Sequence, residues 1–293
     1  MLRRNYGNSG LEISILGYGA GHIGSPEMDE NYVGYFLNQI VDSGITLIDT
    51  ARGYGLSEER IGRHLSWRRK DYILSTKVGY GIPGYADWTY EGIIAGIEEA
   101  LRLLRTDWID IVHLHSCPLE TLQKGDVIRA LDKARADGKI RAAAYSGENE
   151  ASDFTSGLPE FQGLQTSVNI TDQRSIDHQV LKAFQSGKGV IAKRPIANAP
   201  WRFHDRPYGN YAEEYWHRWK TMNLDPMGLE WEELFLRFTA FTPGVTSSIV
   251  GTTNMEHLRR NISALEKGPL EAGLYQDIRE CFRRNDQNWS GMV

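Results

Sequence analysis

The chain has 293 residues, of which 41% are hydrophobic, and a formal net charge of −5 at pH 7. This negative balance gives no general attraction for the phosphate backbone of nucleic acid or for anionic lipid, so we expect neither as a partner. No stretch approaches the roughly 20 apolar residues that a membrane span needs, and the start lacks the apolar run of a signal peptide, which predicts a cytoplasmic protein.

Short apolar strands alternate with amphipathic helices from residue 25 onward. The first helix is predicted over 25–44, with Ser25 as its cap and Gly44 at its end. The strand ITLID follows at 45–49, and Ser57 then caps a helix whose first turn carries two acids. The same alternation predicts strands at 71–77, 108–115, 140–146, 164–169, 189–193 and 245–250, and helices at 93–104, 121–137, 176–186, 228–241 and after Thr253.

These elements include seven strands, and the segment ISILGYG at 13–19 is either an eighth barrel strand or part of an N-terminal hairpin. A strict alternation of this many units favours a (β/α)8 barrel, the TIM-barrel fold, over a doubly wound sheet. No linker divides the chain, so residues 1–293 are predicted to form a single barrel domain.

Two segments depart from the alternation. Residues 194–225 are rich in aromatic side chains and show no sustained strand or helix period, which indicates a long loop that shapes a substrate pocket at the C-terminal face of the barrel. The alternative is that these aromatic side chains simply cover the rim. The tail from residue 268 is predicted to add a helix over the barrel or its mouth.

Polar or ionisable residues end five of the predicted strands: Asp49, Lys77, His115, Ser146 and Lys193. Side chains alternate along a strand, so each of these residues lies on the same face as the residue two positions before it. A single acid at a strand end is usually a structural anchor, whereas several strands that end this way indicate a barrel active site.

Five segments, in order and across essentially the whole chain, resemble the aldo-keto reductase superfamily: IDTARGYGLSEERIG, STKVG, DIVHLH, GKIRAAAYSG and VGTTNMEHLRRN. The first of them, with its spacing to the lysine and histidine strands, is specific, whereas VGTTN alone would be weak. The resemblance implies an NAD(P)-dependent carbonyl reductase on a (β/α)8 barrel, acting on a small aldehyde, ketone or sugar carbonyl or on the matching alcohol. It also implies a catalytic tetrad of Asp49, Tyr54, Lys77 and His115.

Carbonyl reduction needs a hydride at carbon and a proton at oxygen, and the implied tetrad divides this work. A free phenol, with a pKa of about 10, is a poor acid near neutral pH. An ammonium group beside a phenol favours the phenolate, so Lys77 would help Tyr54 to donate its proton while Asp49 holds the lysine in place. His115 would orient the substrate oxygen, and a nicotinamide would carry the hydride.

The resemblance also implies where the cofactor binds. Ser146 and Gln165 would contact its carboxamide. The start of the last barrel helix would bind the adenosine phosphates, where backbone N–H groups favour anions. The residues implied there are Gly251, Thr252, Thr253, His257 and Asn261.

Three places depart from the pattern of the family. Gly147 replaces a common asparagine, and Lys193, followed by Arg194, replaces a tyrosine that stacks on the nicotinamide. The lysine stem could cover part of that ring instead. His257 replaces an arginine that meets the 2′-phosphate of NADP, so NADP is the expected cofactor mostly on family habit, and NAD is the alternative.

Two other interpretations stay open. His113 and His115 form an HxH pair on one strand face, a pattern that binds zinc in barrel hydrolases. No second histidine cluster lies on the later predicted strands, so we predict no metal site and interpret His113 as a core residue with a hydrogen-bond partner. The second alternative is a cofactor-binding sensor or subunit with little turnover, which the unusual residues at 147, 193 and 194 leave open.

Overall fold

Eight parallel strands form a closed barrel in the computed structural model, which describes residues 1–292. After an N-terminal hairpin of β1 (Arg3–Asn5) and β2 (Glu12–Ser14), the barrel strands are β3 (Leu16–Gly19), β4 (Leu47–Asp49), β5 (Ile73–Val78), β6 (Ile109–His115), β7 (Ile140–Ser146), β8 (Gly163–Ser167), β9 (Gly189–Lys193) and β10 (Ser247–Val250). Each barrel strand pairs with the next in the chain, and β10 pairs with β3. The predicted (β/α)8 barrel is confirmed. The segment ISILGYG contributes both to the hairpin and to the barrel, since its first two residues pair in the hairpin and its last four form β3.

Helices surround the barrel and connect successive strands. They are α1 (Glu30–Asp42), α2 (Ser57–Leu65), α3 (Tyr90–Leu104), α4 (Leu119–Lys124), α5 (Asp126–Ala136), α6 (Asn149–Ser156), α7 (Leu181–Gln185), α8 (Glu213–Met222), α9 (Trp231–Ala240), α10 (Met255–Glu266) and α11 (Ala272–Asn285). A π-helical turn, Ile176–Val180, precedes α7. Within residues 1–292, no helix has both the length and the apolar character that crossing a membrane requires.

The caps predicted for the first two helices are wrong. α1 begins at Glu30, and its cap is Asp29, whose carboxylate accepts a hydrogen bond from the Tyr32 N–H at 2.8 Å. Ser25 instead precedes a turn that leads into this cap. Ser57 is the first residue of α2 and is buried. Its hydroxyl donates to the Ala20 carbonyl and does not cap the helix.

The predicted helix over 121–137 is two helices. Gly125 separates α4 from α5 and has a φ of 83°, in the left-handed region. A residue in that conformation ends an α-helix, and glycine adopts it without steric cost.

Residues 194–225 are more ordered than predicted. They contain a 3-10 turn at Pro200–Arg202 and the helix α8. The stripe that α8 buries includes Arg218 between Tyr215 and Met222. A charged residue in the buried stripe breaks the apolar period, which explains why the helix was not predicted.

The N-terminal hairpin closes the end of the barrel opposite the carboxyl ends of the strands. Tyr6 is fully buried there and packs among apolar side chains from the hairpin and the barrel interior, namely Leu11, Ile13, Leu47, Ile111, Ala142, Ala144 and Ile191. Two glycines make room for it: a Cβ on Gly163 would lie 1.7 Å from the Tyr6 Oη, and a Cβ on Gly189 would lie 2.0 Å from its Cδ2. This end of the barrel is therefore filled with packed side chains, which leaves the other end for a binding site.

We expect Gly189→Ala to lower the free energy of unfolding by about 1–3 kcal/mol, because the added methyl group cannot fit beside the Tyr6 ring without displacing it. Urea denaturation measures this change. Gly273→Ala is the matched control: it lies in α11, where no described atom is within 4 Å of an added Cβ, and should be neutral or slightly stabilising. Equal stability of the two variants would contradict the packing of Tyr6.

Candidate active site

The carboxyl ends of the barrel strands open into a cavity of about 1440 Å³. Residues from six strands and two loops line it, although they are far apart in the sequence: Asp49, Tyr54, Lys77, His115, Ser146, Gln165, Lys193 and Arg194. Pockets for drug-sized ligands usually have volumes of about 300–1000 Å³. The cavity therefore has room for a dinucleotide together with a small substrate.

Lys77 and Asp49 form a buried ion pair at the inner end of the cavity. The Lys77 Nζ donates to the Asp49 Oδ2 at 2.6 Å and to the Thr50 carbonyl at 2.8 Å, and each side chain of the pair is 2% exposed. Burial alone would lower the pKa of Lys77, but the Asp49 carboxylate outweighs it and raises that pKa. Burial alone would raise the pKa of Asp49, but the Lys77 ammonium and the hydrogen bonds hold it below its usual range. Both groups are therefore charged at neutral pH.

A hydrogen-bond network extends from Asp49 across the barrel interior. Its Oδ1 accepts from the Ser75 hydroxyl at 2.8 Å and from the Gln165 amide at 2.9 Å. The Ser146 hydroxyl donates to the Gln165 Oε1 at 2.9 Å, and the Ser75 hydroxyl lies 3.1 Å from the His113 Nε2. The network fixes the orientation of the Gln165 amide and links five strands.

Tyr54 lies in the loop between β4 and α2 and faces the ion pair. The Lys77 Nζ is 5.0 Å from the centroid of its ring. The Leu56 N–H donates to the Gly24 carbonyl at 3.0 Å, and a Cβ on Gly24 would lie 1.8 Å from the Tyr54 carbonyl oxygen. Two segments of backbone thus pack directly against each other and hold the tyrosine beside the ammonium.

His115 meets Tyr54 edge to face, with ring centroids 6.1 Å apart. The Tyr80 hydroxyl lies 2.8 Å from the His115 Nδ1, and the two rings stack. Burial, followed by the nearby Lys77 and Lys193 cations, lowers the pKa of His115 to about 3, so its imidazole is neutral at physiological pH. When the Tyr80 hydroxyl donates to Nδ1, the imidazole proton lies on Nε2, which becomes a hydrogen-bond donor.

The residues implied for the adenosine phosphates divide into two groups. Gly251 and His257 line the cavity, whereas Thr252, Thr253 and Asn261 are not part of its lining in the described chain. The Thr252 hydroxyl accepts from the Asn254 N–H at 3.1 Å, and the Thr253 carbonyl accepts from the Tyr32 hydroxyl at 2.6 Å. Asn261 is buried, and within residues 1–292 its Oδ1 has no hydrogen-bond partner.

These groups fit a dinucleotide. The 12-residue helix α10 begins beside the cavity with Asn254 as its cap, and a helix N-terminus favours phosphate. A Cβ on Gly251 would lie 2.9 Å from the His22 Nδ1 and 3.2 Å from the Gly19 carbonyl oxygen. Because glycine has no side chain, the space between Gly251, His22 and Gly19 stays open. A phosphate chain can therefore approach the backbone of Gly251 closely.

The departure from the family pattern at Gly147 has a steric cause. A Cβ on Gly147 would lie 2.4 Å from the Tyr145 Oη, and that hydroxyl donates to the Cys117 carbonyl at 3.1 Å. An asparagine at 147 would have to displace Tyr145. Gly147 is therefore matched to its neighbour.

Lys193 and Arg194 both line the cavity but make different contacts. The Lys193 Nζ lies 3.0 Å from the Glu148 Oε1. The Arg194 guanidinium donates to the Ser167 hydroxyl at 3.0 Å and to the Met292 carbonyl. The Lys193 ammonium is thus paired with the Glu148 carboxylate, and a hydrogen bond from Arg194 connects the cavity wall to the C-terminal tail.

Three residues of this site, Ser75, Glu148 and Tyr80, were not predicted from the sequence. Ser75 lies two residues before Lys77 and so on the same strand face, and Glu148 continues the same two-residue spacing beyond Ser146. Those spacings could have identified both residues. Tyr80 follows β5 in a loop, where no periodicity gave a signal.

The HxH pair serves hydrogen bonding in this structure. Within residues 1–292, no three His, Cys, Asp or Glu side chains are grouped so that they could hold a metal ion. His113 is fully buried beside Ser75, and burial lowers its pKa to about 4. It is a core residue with a hydrogen-bond partner, as the sequence analysis interpreted it.

Residues 15–283 match the model of the Aldo/keto reductase family. The chain is 29% identical to the uncharacterized oxidoreductase YqkF of Bacillus subtilis, over 97% of this chain and all of that protein. It is 31% identical to the D-threo-aldose 1-dehydrogenase of a Pseudomonas species, over 93% of this chain and 95% of that protein. It is also 27% identical to a probable voltage-gated potassium channel subunit beta of rice, Oryza sativa, over 92% of this chain and 93% of that protein.

A solved structure is similar over nearly the same length. The holo form of an aldo-keto reductase from Bacillus halodurans has a TM-score of 0.84 and 25% sequence identity, and the alignment covers 96% of each chain. The family match over residues 15–283 includes every barrel strand. This chain therefore belongs to the aldo/keto reductase family.

Proposed function

We propose that the protein is an NAD(P)-dependent oxidoreductase that reduces a small aldehyde, ketone or sugar carbonyl to the alcohol, or catalyses the reverse reaction, with Tyr54 as the proton donor. One observation carries this proposal. A buried, charged Lys77–Asp49 pair faces the Tyr54 ring inside a cavity that His115 also lines. A phenol, an ammonium group and a neutral imidazole at one cavity wall are the groups that protonation of a carbonyl oxygen requires.

Tyr54 moves the proton. When its hydroxyl protonates the substrate oxygen, the Lys77 ammonium stabilises the phenolate that remains. Asp49 keeps Lys77 charged and fixes its position through the 2.6 Å contact. The neutral His115 donates from Nε2 to the same substrate oxygen and orients it, which lowers the entropic part of the barrier.

The proposed cofactor is NADP, with NAD as the alternative. When bound, its nicotinamide would supply or accept the hydride. Ser146 and Gln165 would hold the carboxamide. Gly251 and His257, which line the cavity, would hold the adenosine phosphates at the start of α10, and Thr252, Thr253 and Asn261 lie behind them as the other residues implied there. The basic side chains that line this part of the cavity support NADP, since its 2′-phosphate adds about two negative charges. They are His257, Arg259, Arg260 and Lys267, and the acids Glu232, Glu233 and Glu256 line the same part of the cavity.

A sugar carbonyl is the substrate that the rim supports best. Asn198, Arg202 and Asn210, all from the segment 194–225, line the outer cavity and offer hydrogen bonds to hydroxyl groups. The similarity to a D-threo-aldose 1-dehydrogenase supports the same class.

A cofactor-binding subunit with little turnover is a second candidate, which the similarity to a potassium channel subunit beta favours. Steady oxidation of NADPH with a panel of aldoses and small aldehydes distinguishes the two. Turnover supports the enzyme, and cofactor binding without turnover supports the subunit.

We expect Tyr54→Phe to lower kcat by about 10²–10⁴-fold, because the phenyl ring fills the same space but has no proton to give. The dissociation constant for NADPH, measured by fluorescence titration, should stay unchanged. Tyr85→Phe is the matched control, since Tyr85 is 49% exposed and does not line the cavity. Full activity in Tyr54→Phe would exclude the proposed mechanism.

We expect Tyr80→Phe to lower kcat by about tenfold, because the loss of its hydrogen bond to Nδ1 frees His115 to adopt the tautomer that cannot donate from Nε2. Steady-state kinetics should give an unchanged KM for the cofactor. Unchanged kcat would mean that Tyr80 does not set the tautomer of His115.

We expect NADPH to bind about tenfold more tightly than NADH, and the difference to shrink as salt screens the 2′-phosphate. Arg259→Leu should reduce this preference, since Arg260 and Lys267 already pair with Glu232 and Glu233. Arg129→Leu, at a 72% exposed side chain on α5, is the matched control. Equal affinity for both cofactors in the unmodified protein would favour the NAD alternative.

A further inference from the structure

Glu148 holds the lysine at the end of β9. The Lys193 Nζ and the Glu148 Oε1 are 3.0 Å apart, and the two side chains are 15% and 2% exposed. The pair spans two strand ends, since Lys193 ends β9 and Glu148 follows the end of β7. Lys193 lines the cavity with Ser146 and Gln165, and Glu148 lies behind it, outside the residues that line the cavity.

Hydrogen bonds from Thr166 and Ser167 hold the Glu148 carboxylate in one position. Its Oε2 accepts from the Thr166 hydroxyl at 2.6 Å, and its Oε1 accepts from the Ser167 N–H at 3.0 Å and from the Ser167 hydroxyl at 2.9 Å. The ammonium of Lys193 is thus drawn to a fixed point in the wall. The four-carbon stem of the lysine is left along the cavity surface.

The cavity wall thus contains two lysines, one buried and one partly buried, and each contacts a carboxylate; Glu148 is also 4.0 Å from the Arg194 guanidinium. Lys77 pairs with Asp49, and Lys193 pairs with Glu148. A nicotinamide ring is neutral when reduced and carries a positive charge when oxidised. An unpaired ammonium beside the ring would weaken binding of the oxidised form alone, because like charges in a buried site repel strongly.

We propose that Glu148 is a positioning residue, which anchors Lys193 against the nicotinamide site and cancels its charge, so that the oxidised and reduced cofactors bind with comparable affinity. This inference rests on the proposed function, since it requires that a nicotinamide cofactor binds in the cavity. It accounts for a lysine at a position where the family often has a tyrosine, since the anchored stem supplies the apolar cover and the carboxylate removes the charge.

Several other ionisable groups act on Lys193 or on its partner. Burial lowers the pKa of Lys193, Glu148 opposes that change, and Arg194 and Lys77 add to it. The remaining groups are His113 and His115 on β6, near Lys193, and Asp172 and Tyr215 on the far side of Glu148. Burial followed by Glu148 raises the pKa of Asp172 to about 7, so Asp172 titrates near neutral pH and must be controlled for.

The test measures the ratio of the dissociation constants for NADP⁺ and NADPH, by calorimetry and fluorescence titration of the full chain. Both cofactors share the adenosine part, so titration of groups around the 2′-phosphate cancels in this ratio. The variant Glu148→Gln/Lys193→Arg leaves a permanent unpaired cation, because arginine does not deprotonate in proteins. The variant Glu148→Gln/Lys193→Met leaves no charge at position 193 and, like the first variant, retains Arg194 and Asp172.

We expect the ratio to be at least about tenfold higher in Glu148→Gln/Lys193→Arg than in Glu148→Gln/Lys193→Met. Lys193→Arg alone should keep the ratio of the unmodified protein, because Glu148 still cancels the charge. Glu148→Gln alone should have a raised ratio at low pH, where Lys193 is protonated, and the ratio should fall as pH rises and the amine loses its proton.

Asp110→Asn is the control for a general structural effect. Asp110 is a buried carboxylate paired with Arg69 at the opposite end of β6, so its loss should reduce stability without changing the ratio. Equal ratios in the two double variants would overturn the inference and leave the proposed function intact. Failure of the unmodified protein to bind either cofactor would instead contradict the proposed function.

Discussion

The buried ion pair between Lys77 and Asp49 is the interaction on which the site depends. Removing each ion from water costs several kcal/mol, so the pair is tolerated only because further hydrogen bonds satisfy both ions. Asp49 receives hydrogen bonds from Ser75 and Gln165, and Lys77 donates to the Thr50 carbonyl. These partners lie on β5, β8 and the end of β4, so only a closed barrel brings them together. The polar site is therefore a product of barrel closure.

The two ends of the barrel perform separate tasks. The end that holds Tyr6 is filled by apolar side chains, and glycines at 163 and 189 give its ring space. The other end contains a network of polar groups that leaves a large cavity open. Apolar burial at one end supplies the stability that the buried charges at the other end do not, since such charges cost free energy unless each is fully paired.

The sequence predicted the parts of the structure that depend on local periodicity. The two-residue alternation identified the strand ends at Asp49, His115, Ser146 and Lys193 and placed Lys77 one residue before the end of β5, and the count of units identified the barrel. Features that depend on distant partners were missed. The helix α8 was not predicted because its buried stripe contains Arg218, whose guanidinium donates to the Ser290 carbonyl. The spacing beyond Ser146 could have indicated Glu148 as a site residue, but its contact with Lys193, 45 positions further along the chain by their residue numbers, gave no signal in the sequence.

The charged side chains of the cavity form an inner group and an outer group. At the inner wall each lysine is matched by a carboxylate, Lys77 by Asp49 and Lys193 by Glu148, and Arg194 shares Glu148, so the carboxylates offset most of the positive charge there. Near α10 the lining includes three strong bases, Arg259, Arg260 and Lys267, and carboxylates pair with the last two. A dinucleotide also has two differently charged parts. Its phosphates carry permanent negative charge, and the charge of its nicotinamide ring changes with the redox state. Arg259, which has no carboxylate within 4 Å in the described chain, can therefore attract the phosphates, while the carboxylates of the inner site reduce its preference for one redox state of the ring.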